Sequence, residues 1–163
     1  MTVRHGTPPD IDSIMAIFEA AKQYMRKTGN TSQWSDGYPA RENILADIAN
    51  GHNYVIIDNN GHITATFALI LGEDPTYLYI EDGAWPDNEP YGTIHRIASA
   101  GRTPGMLKHA VEFAFTLTNN IRIDTHRDNR PMLDALSRLG FKHCGTIYCR
   151  DGSPRLAFQL KRQ

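Results

Sequence analysis

The chain has 163 residues, of which 40% are hydrophobic and 21% are charged, and this is typical of one globular domain with a hydrophobic core. Its formal net charge of −1 argues against non-specific nucleic-acid binding, which requires a clustered basic surface. No apolar run reaches the ~18 residues of a membrane-spanning helix, and the N-terminal MTVRHGTPPD lacks the apolar core of a signal peptide. We therefore expect a cytoplasmic protein that binds neither nucleic acid nor membrane.

The first half of the chain predicts two helices and the start of a sheet. Residues 3–5 form a short strand, and apolar side chains at helical spacing then predict a helix that begins after Asp10 and ends at Gly29. A polar loop over residues 28–40 leads to a second helix, which stops at residues 50–51. The inward side chains of this second helix are expected to be Ile44, Leu45 and Ile48.

Four strands are expected next. The Asn60-Gly61 turn joins residues 54–58 and 62–71 in a hairpin. Residues 76–83 and 91–99 alternate in the manner of two further strands, and AWPDNEP between them cannot form regular structure.

The second half alternates between helices and strands. A loop, GRTPG, precedes elements expected at residues 106–117 (helix), 121–126 (strand), 129–139 (helix), 141–149 (strand) and 155–161 (strand). A strand-helix-strand unit normally makes a right-handed parallel crossover, and ligands tend to bind at the carboxyl ends of the parallel strands. No linker divides the chain, so we expect one domain with a mixed α/β sheet.

The two cysteines are not expected to form a disulfide. Cys144 and Cys149 fall in one predicted strand at an odd separation, which places their side chains on opposite faces, and reduced thiols suit the cytoplasm. We also expect no metal, because two cysteines are too few for structural zinc and no histidine pair has ligand spacing. A metal-dependent hydrolase would need His126 and His143 to meet a carboxylate in space.

The stretch GRTPGMLKHAVEFAF combines a glycine-containing loop with the start of a helix. Free amides at a helix N-terminus, together with the helix dipole, bind anions such as pyrophosphate. Gly101 and Gly105 allow close backbone approach, Arg102 adds charge, and Pro104 leaves no unused donor. A glycine loop before a helix is more often only a tight connection, so this signal alone does not define a site.

A second stretch, IDTHRDNRPMLDALSRLGF followed by KHCGTIY, resembles the GNAT superfamily of N-acetyltransferases. The H-x-D-N and L-G-F blocks carry the resemblance, and the upstream HRIAS and glycine loop fall where that family binds acetyl-CoA. The loop over residues 34–39 and the ending RDGSPRLAFQL are similar to a subgroup of small bacterial members. The resemblance covers nearly the whole chain.

This resemblance implies a fold, an activity and a mode of assembly. The fold is a mostly antiparallel sheet with helices on both faces and a parallel pair, residues 94–99 and 121–125, that parts at its ends. Residues 1–163 would form a single acyl-CoA-binding domain. The activity is transfer of an acetyl group from acetyl-CoA to a primary amine of a small molecule or peptide, and the chain could pair as a homodimer.

The family's pyrophosphate loop, Q/R-x-x-G-x-G/A, corresponds to residues 102–107. Arg102 and Gly105 match this pattern, whereas Leu107 replaces the family's small residue. Backbone amides bind phosphate whatever the side chain, provided that the larger leucine fits.

The resemblance also implies contacts to the pantetheine chain. Ile97 and Ser99 would offer main-chain groups, with the Ile97 amide donating to the thioester oxygen, and Asn129 would offer its side chain. The implied cofactor-binding set is Ile97, Ala98, Ser99, Arg102, Thr103, Pro104, Gly105, Met106, Leu107, Asn129 and Met132.

Direct attack by an amine requires a base, a donor to the developing oxyanion and an acid for the leaving thiolate. The family often places a tyrosine four positions before the glycine of L-G-F, where this chain has Leu136. We predict His95 as the first candidate for acid–base catalysis, since histidine titrates near neutral pH. Glu81, in a strand expected beside it, could act through water, and Tyr148 is the nearest substitute for the missing tyrosine. The substrate-binding candidates are Trp34, Tyr38 and His126.

Structural explanations compete with each of these roles. Asn129 could simply cap a helix, His95 could be a satisfied core histidine, and His126 could lie on the surface. Trp34 and Tyr38 could pack onto the core instead of covering a pocket. For the whole chain, the alternative is an acyl-CoA-binding sensor or partner module with little turnover, which the missing tyrosine and the altered loop favour.

Overall fold

A computed structural model describes residues 1–35, 37–101 and 105–162. In those residues seven strands form one sheet, and four α-helices pack around it. The strands are β1 (Thr2–His5), β2 (Asn53–Ile57), β3 (Ile63–Leu71), β4 (Gly92–Ser99), β5 (Asn120–Thr125), β6 (Lys142–Tyr148) and β7 (Pro154–Lys161). The helices are α1 (Ile11–Lys27), α2 (Arg41–Ala49), α3 (Met106–Ala114) and α4 (Arg130–Arg138).

The strand order is β1-β2-β3-β4-β5-β7-β6. Every neighbouring pair is antiparallel except β4 and β5, which are parallel and are connected through α3. The fold class predicted from the sequence, a mostly antiparallel mixed sheet with one parallel pair, is confirmed.

Helices cover both faces of the sheet, because side chains along each strand alternate between two apolar clusters. On one face, α1 and α2 pack against the sheet through Ile11, Ile14, Ile17, Phe18, Ile44, Val55 and Ala98. On the other face, α3 and α4 contribute to a larger cluster that includes Phe67, Ile94, Ala110, Val111, Ile121, Ile123 and Leu136. None of the helices in the described ranges is both long and apolar enough to cross a membrane.

The predicted strand over residues 76–83 is wrong. The chain instead forms a 3₁₀ turn at Pro75–Tyr77, and this segment pairs with the sheet only through an isolated bridge between Glu81 and Thr146. The Asp74 side chain accepts hydrogen bonds from the Thr76 amide at 2.9 Å and the Thr76 hydroxyl at 2.7 Å. This local Asp-Pro-Thr turn overrides the strand preference of the nearby tyrosines.

The inward position predicted for Leu45 is also wrong, since this side chain is 37% exposed. Asp47 lies inward instead and is buried next to Ile44 on the same helix. It forms an ion pair with Arg96 of β4, and this pairing makes the burial of a carboxylate on a helix acceptable. Cys144 and Cys149 are both free thiols, as predicted.

The irregular segment over residues 84–90 is fixed to the sheet by Arg122. Its guanidinium is stacked between the rings of Trp85 and Tyr91, at 4.1 and 4.0 Å from the ring centroids. It also donates to the Gln159 side chain at 2.9 Å and to the Asp87 carbonyl at 2.8 Å. Arg122 is only 4% exposed, and its charge is balanced by the aromatic faces, these hydrogen bonds and the Asp87 carboxylate, whose Oδ1 lies 4.0 Å from Nη2.

We expect Arg122→Ala to lower the free energy of unfolding by about 3 kcal/mol, because it removes the stack and leaves buried acceptors unpaired. Urea unfolding followed by circular dichroism measures this change. Arg138→Ala, at an exposed position of α4, is the control and should change the free energy of unfolding by less than about 0.5 kcal/mol. Equal effects of the two variants would show that the stack does not stabilise the fold.

Candidate functional site

The parallel strands β4 and β5 are in register over only two residue pairs. Gly92 pairs with Ile121 and Thr93 pairs with Arg122, after which the strands part. β4 nevertheless continues to Ser99 and stays paired with β3 on its other side. The predicted pair that parts at its ends is therefore confirmed, and the parting leaves backbone groups of β4 without a strand partner on the β5 side.

A bulge in β4 lies where the strands part. Between the pairs Ala68–His95 and Thr66–Ala98, β4 advances one residue more than β3. The additional residue is accommodated at Arg96, which has a φ of 48°. Such bulges bend a strand away from its neighbour.

The Arg96 side chain ties this bulge to the structures around it. Its Nε and Nη2 donate to the two Asp47 carboxylate oxygens at 2.8 and 2.9 Å, and its Nη1 donates to the Tyr38 hydroxyl at 3.1 Å. Burial tends to lower the pKa of the Arg96 guanidinium, but the hydrogen bonds to Asp47 and the charge there outweigh it. The pair thus holds a strained backbone position in place.

A cavity of about 780 Å³ opens between the parted strands. Thr93, His95 and Asp124 line it from the sheet face that α1 and α2 cover, whereas Ile94 and Ile123 line it from the face that α3 and α4 cover. The cavity therefore passes through the sheet, and a separate ligand could approach its centre from each face. Loop residues 32–35, Tyr38, residues 72–76 and residues 149–151 contribute the surrounding walls.

His95 is held in the cavity wall by Asp74. Its Nε2 lies 2.8 Å from Asp74 Oδ2. Burial raises the pKa of the Asp74 carboxyl, but hydrogen bonds from His95 and Thr76 outweigh this and hold that pKa at about 2. Because an ionised carboxylate can only accept hydrogen bonds, Nε2 of the neutral imidazole carries the proton and Nδ1 keeps its lone pair. Asp74 was not predicted as a site residue. The sequence Asp74-Pro75-Thr76, which is typical of a turn, is the signal that could have indicated its position.

Tyr77 and Asp124 form a second pair beside the cavity. The buried Tyr77 hydroxyl donates to Asp124 Oδ2 at 2.6 Å. Burial and the charge of Asp124 raise the pKa of Tyr77 well above its usual value, so the pair consists of a neutral donor and a carboxylate. Neither residue was predicted, because their meeting depends on how the irregular segment folds onto β5.

The loop before α2 crosses the carboxyl end of β5 and is held there by Gln33. Its side-chain oxygen accepts from Asn129 at 3.1 Å and from Thr125 at 3.4 Å, and its carbonyl accepts from Arg155 at 3.3 Å. Asn129 also caps α4, since its side chain accepts from the Met132 amide at 3.3 Å. Capping and a place in the cavity wall therefore coexist at Asn129.

The predicted substrate-binding residues lie in different places. Trp34 packs edge-on against Phe18 of the core, with ring centroids 5.4 Å apart, and it also lines the cavity. Tyr38 lines the cavity as well and is exposed. His126 instead faces its own turn, where its Nδ1 accepts from the Asp128 amide at 3.0 Å.

Glu81 and Tyr148 lie together, apart from His95. The Tyr148 hydroxyl donates to Glu81 at 2.5 Å, and the Tyr79 hydroxyl donates to the same carboxylate at 2.7 Å. Glu81 lies beside β6, not in a strand next to β4 as predicted. In the described part of the chain, neither Glu81 nor Tyr148 lines the cavity.

Only some of the predicted cofactor residues line the cavity. Ile97, Asn129 and Met132 line the cavity, whereas Ala98 and Ser99 continue β4 beyond its lining residues. The side chains of Met106 and Leu107 are buried in the α3–α4 cluster, so the larger leucine fits without obstructing the helix N-terminus. Arg102, Thr103 and Pro104 lie outside the described residues.

Gly105 directly precedes α3 as its N-cap residue and has a φ of 84°. Of the described side chains, none caps this helix, whereas α4 is capped by Asn129. The first amides of α3 are therefore suited to an anion. No cluster of three or more potential metal ligands occurs among residues 1–35, 37–101 and 105–162.

Comparisons with known proteins give matches among solved structures. No protein-family model matches the sequence, and a search of curated proteins finds no match. A GNAT-family acetyltransferase from Streptococcus agalactiae is 35% identical with a TM-score of 0.89, over 99% of this chain and 95% of that one.

Two further structures show similarity of fold alone. A GNAT-family acetyltransferase from Listeria monocytogenes is 20% identical with a TM-score of 0.71, over 98% of this chain and 94% of that one. An N-acetyltransferase from Staphylococcus aureus is 18% identical with a TM-score of 0.61, over 98% of this chain and 97% of that one.

The lowered pKa of Asp74 predicts a specific loss of stability in acid. The folded-state value of about 2 lies below the ordinary 3.8, so the stabilisation is complete above pH ~4 and is lost as the pH falls toward 2. Asp74→Asn should remove about 2 kcal/mol of this pH dependence, measured as the free energy of unfolding between pH 5 and 2. Asp134→Asn, on the exposed side of α4, should retain the wild-type dependence, and an unchanged dependence in Asp74→Asn would contradict the prediction.

Proposed function

The chain belongs to the GNAT family of acetyltransferases, and on this premise we propose that it transfers an acetyl group from acetyl-CoA to a primary amine of a small molecule or peptide by direct attack. The observation that carries the proposal is the cavity that crosses the sheet between β4 and β5, with His95 in its wall. Two substrates could meet there without a covalent enzyme intermediate.

The residues present fit acetyl-CoA. A pantetheine chain contains amides, which can pair with the backbone of β4 where β5 has moved away, and Ile97, Ala98 and Ser99 lie on this part of the strand. Asn129 and Met132 face the same gap. The amides at Gly105, Met106 and Leu107, which no described side chain caps, would hold the pyrophosphate. When bound, acetyl-CoA supplies a thioester carbonyl carbon as the electrophile.

His95 would act as the general base. Its Nδ1 has no hydrogen-bond partner in the described part of the chain, and the ring lines the cavity. A proton taken from the acceptor nitrogen would convert the ring to imidazolium, which the Asp74 carboxylate would stabilise. Asp74 is then a positioning residue that sets the tautomer and orientation of His95. In this proposal the Ile97 amide would donate to the thioester oxygen as charge develops on it.

The second candidate function is an acyl-CoA-binding sensor or partner module with little turnover. Leu136 is fully buried in the α3–α4 cluster, so the position that often carries a tyrosine in the family brings no hydroxyl to the cavity. Tyr148, the nearest substitute, donates its hydroxyl to Glu81. Both observations leave the leaving thiolate without an obvious side-chain acid.

Thiol release from acetyl-CoA in the presence of a panel of amines tests the transferase against the sensor. We expect thiol release by the wild-type protein. The kcat of His95→Gln should be lower by a factor of about 100 or more, because the base is lost. The KM for acetyl-CoA should stay unchanged. His62→Gln, in the exposed turn between β2 and β3, is the control. Cofactor binding without release from any amine would favour the sensor, and full activity in His95→Gln would exclude His95 as the base.

The role of the α3 N-terminus can be separated from backbone strain with two matched variants. Gly105 and Gly61 have φ values of 84° and 83°, and no described atom would contact a Cβ at either position. Alanine at either position should therefore lower the free energy of unfolding by about 1 kcal/mol.

Only Gly105→Ala places a methyl group beside the free amides of α3, so it should weaken CoA binding about tenfold, measured by calorimetry. Gly61→Ala, in the turn between β2 and β3, should bind CoA as the wild type does. Equal affinities of the two variants for CoA would show that Gly105 is needed only for its backbone conformation.

A further inference from the structure

The Asp124 carboxylate forms no ion pair within salt-bridge distance in the described part of the chain. Its Oδ2 accepts from the neutral Tyr77 hydroxyl, and it forms no salt bridge with any described residue. Asp74 differs, because His95 and two groups of Thr76 already use its oxygens. Asp124 Oδ1 is therefore a carboxylate oxygen of the inner cavity wall that is left for a ligand.

Thr93 gives an independent sign of a missing ligand group. It is 1% exposed and lines the cavity, yet its hydroxyl has no hydrogen-bond partner among the described residues. Buried hydroxyls are normally hydrogen-bonded. A polar ligand in the cavity would satisfy this group.

Thr93, His95 and Asp124 lie on the same face of the sheet. Thr93 pairs with Arg122 across the parallel strands, and Asp124 and His95 each lie two residues further along their own strand, which returns a side chain to the same face. A carboxylate, an unpartnered hydroxyl and the proposed base thus surround one part of the cavity.

We propose that this group of side chains is the acceptor subsite, and that it selects amines that arrive as ammonium ions. The Asp124 carboxylate holds the ammonium, and the Thr93 hydroxyl accepts a further hydrogen bond from it. Tyr77 keeps Asp124 in position. The acceptor class is therefore an aliphatic primary amine, which is cationic at neutral pH, in preference to an aromatic amine, which is neutral there. This assignment rests on the proposed acetyltransfer.

In the transfer step, these side chains, acetyl-CoA and solvent account for every proton and every bond. His95 Nδ1 takes one proton from the ammonium, and the neutral nitrogen then forms a bond to the acetyl carbon. The carbon–sulfur bond breaks, and its electron pair leaves with the sulfur. The second proton passes from the nitrogen to the thiolate or to solvent, and imidazolium returns its proton to solvent.

The other charged groups in the cavity wall neither pair with Asp124 nor offer an equivalent site for a cation. Arg155 donates to the Gln33 and Pro154 carbonyls and to the Ser153 hydroxyl. Arg150 is exposed to solvent. Glu73 and Asp151 are also exposed, so a cation placed there would keep most of its hydration and gain little.

The test compares n-butylamine with aniline as acceptors for the wild type and Asp124→Asn. This variant keeps an acceptor oxygen for Tyr77 but removes the charge. We expect the KM for n-butylamine to rise about 10–100-fold, with kcat within about threefold and the KM values for aniline and acetyl-CoA unchanged. An unchanged KM for n-butylamine, or an equal rise for aniline, would overturn the proposal.

Thr93→Val serves as a second variant, because it retains the shape of a buried side chain and removes an unpartnered hydroxyl. It should keep or raise the melting temperature while raising the KM for n-butylamine about threefold or more. An unchanged KM would remove Thr93 from the subsite.

Binding without turnover separates failure of this assignment from failure of the proposed function. Trp34 lines the cavity, so intrinsic tryptophan fluorescence can follow a titration with n-butylammonium in the absence of acetyl-CoA. Binding that is lost in Asp124→Asn supports the subsite even if no amine releases thiol. Binding that Asp124→Asn retains overturns the subsite, whether or not the protein is a transferase.

Discussion

The site depends on one constraint, which is that β4 and β5 pair for only two residues and then separate within a sheet that is otherwise continuous. A buried strand edge with unpaired amides and carbonyls is unfavourable unless another partner satisfies them. The bulge at Arg96 directs β4 away from β5, and the ion pair with Asp47 fixes that bulge to α2. Apolar residues on the α3–α4 face, including Ile94 and Ile123, support the parted ends from below.

The two faces of this gap differ in chemistry. On the α3–α4 face the walls are largely apolar, and the nearby helix N-terminus offers backbone amides. On the opposite face two carboxylates lie close to the gap in different states. Asp74 accepts hydrogen bonds at both oxygens and contacts a histidine, whereas one Asp124 oxygen accepts from no group in the described part of the chain. Under the proposed function, one carboxylate would position the base and the other would receive the cationic acceptor, so two residues of the same type would have separate roles.

Much of the fold could be predicted from the sequence, because periodicity and turn signals are local. Helical spacing defined α1 and the Asn60-Gly61 turn defined the β2–β3 hairpin, whereas the parted strand pair was predicted through the family resemblance. The failures have tertiary causes. Leu45 lies outward because Asp47 pairs with an arginine 49 residues away, and the segment after Asp74 forms a turn because Thr76 bonds to that carboxylate. His95 was predicted, but its partner Asp74 lies 21 residues away, and Asp124 was not predicted because Tyr77 reaches it only through an irregular segment.

The position of Gln33 has a consequence for how such a protein can change. One side-chain oxygen of this loop residue bonds to the ends of both β5 and α4, and the loop backbone bonds to β7. The wall that would face an acceptor and the elements that would face the cofactor are therefore both held by Gln33, which acts as a shared joint. If the proposed function holds, replacing the loop to admit a different acceptor would also release Asn129, so acceptor specificity and cofactor affinity would change together. Diversification of the acceptor is then easiest through residues that stand apart from this joint, on the outer rim of the cavity.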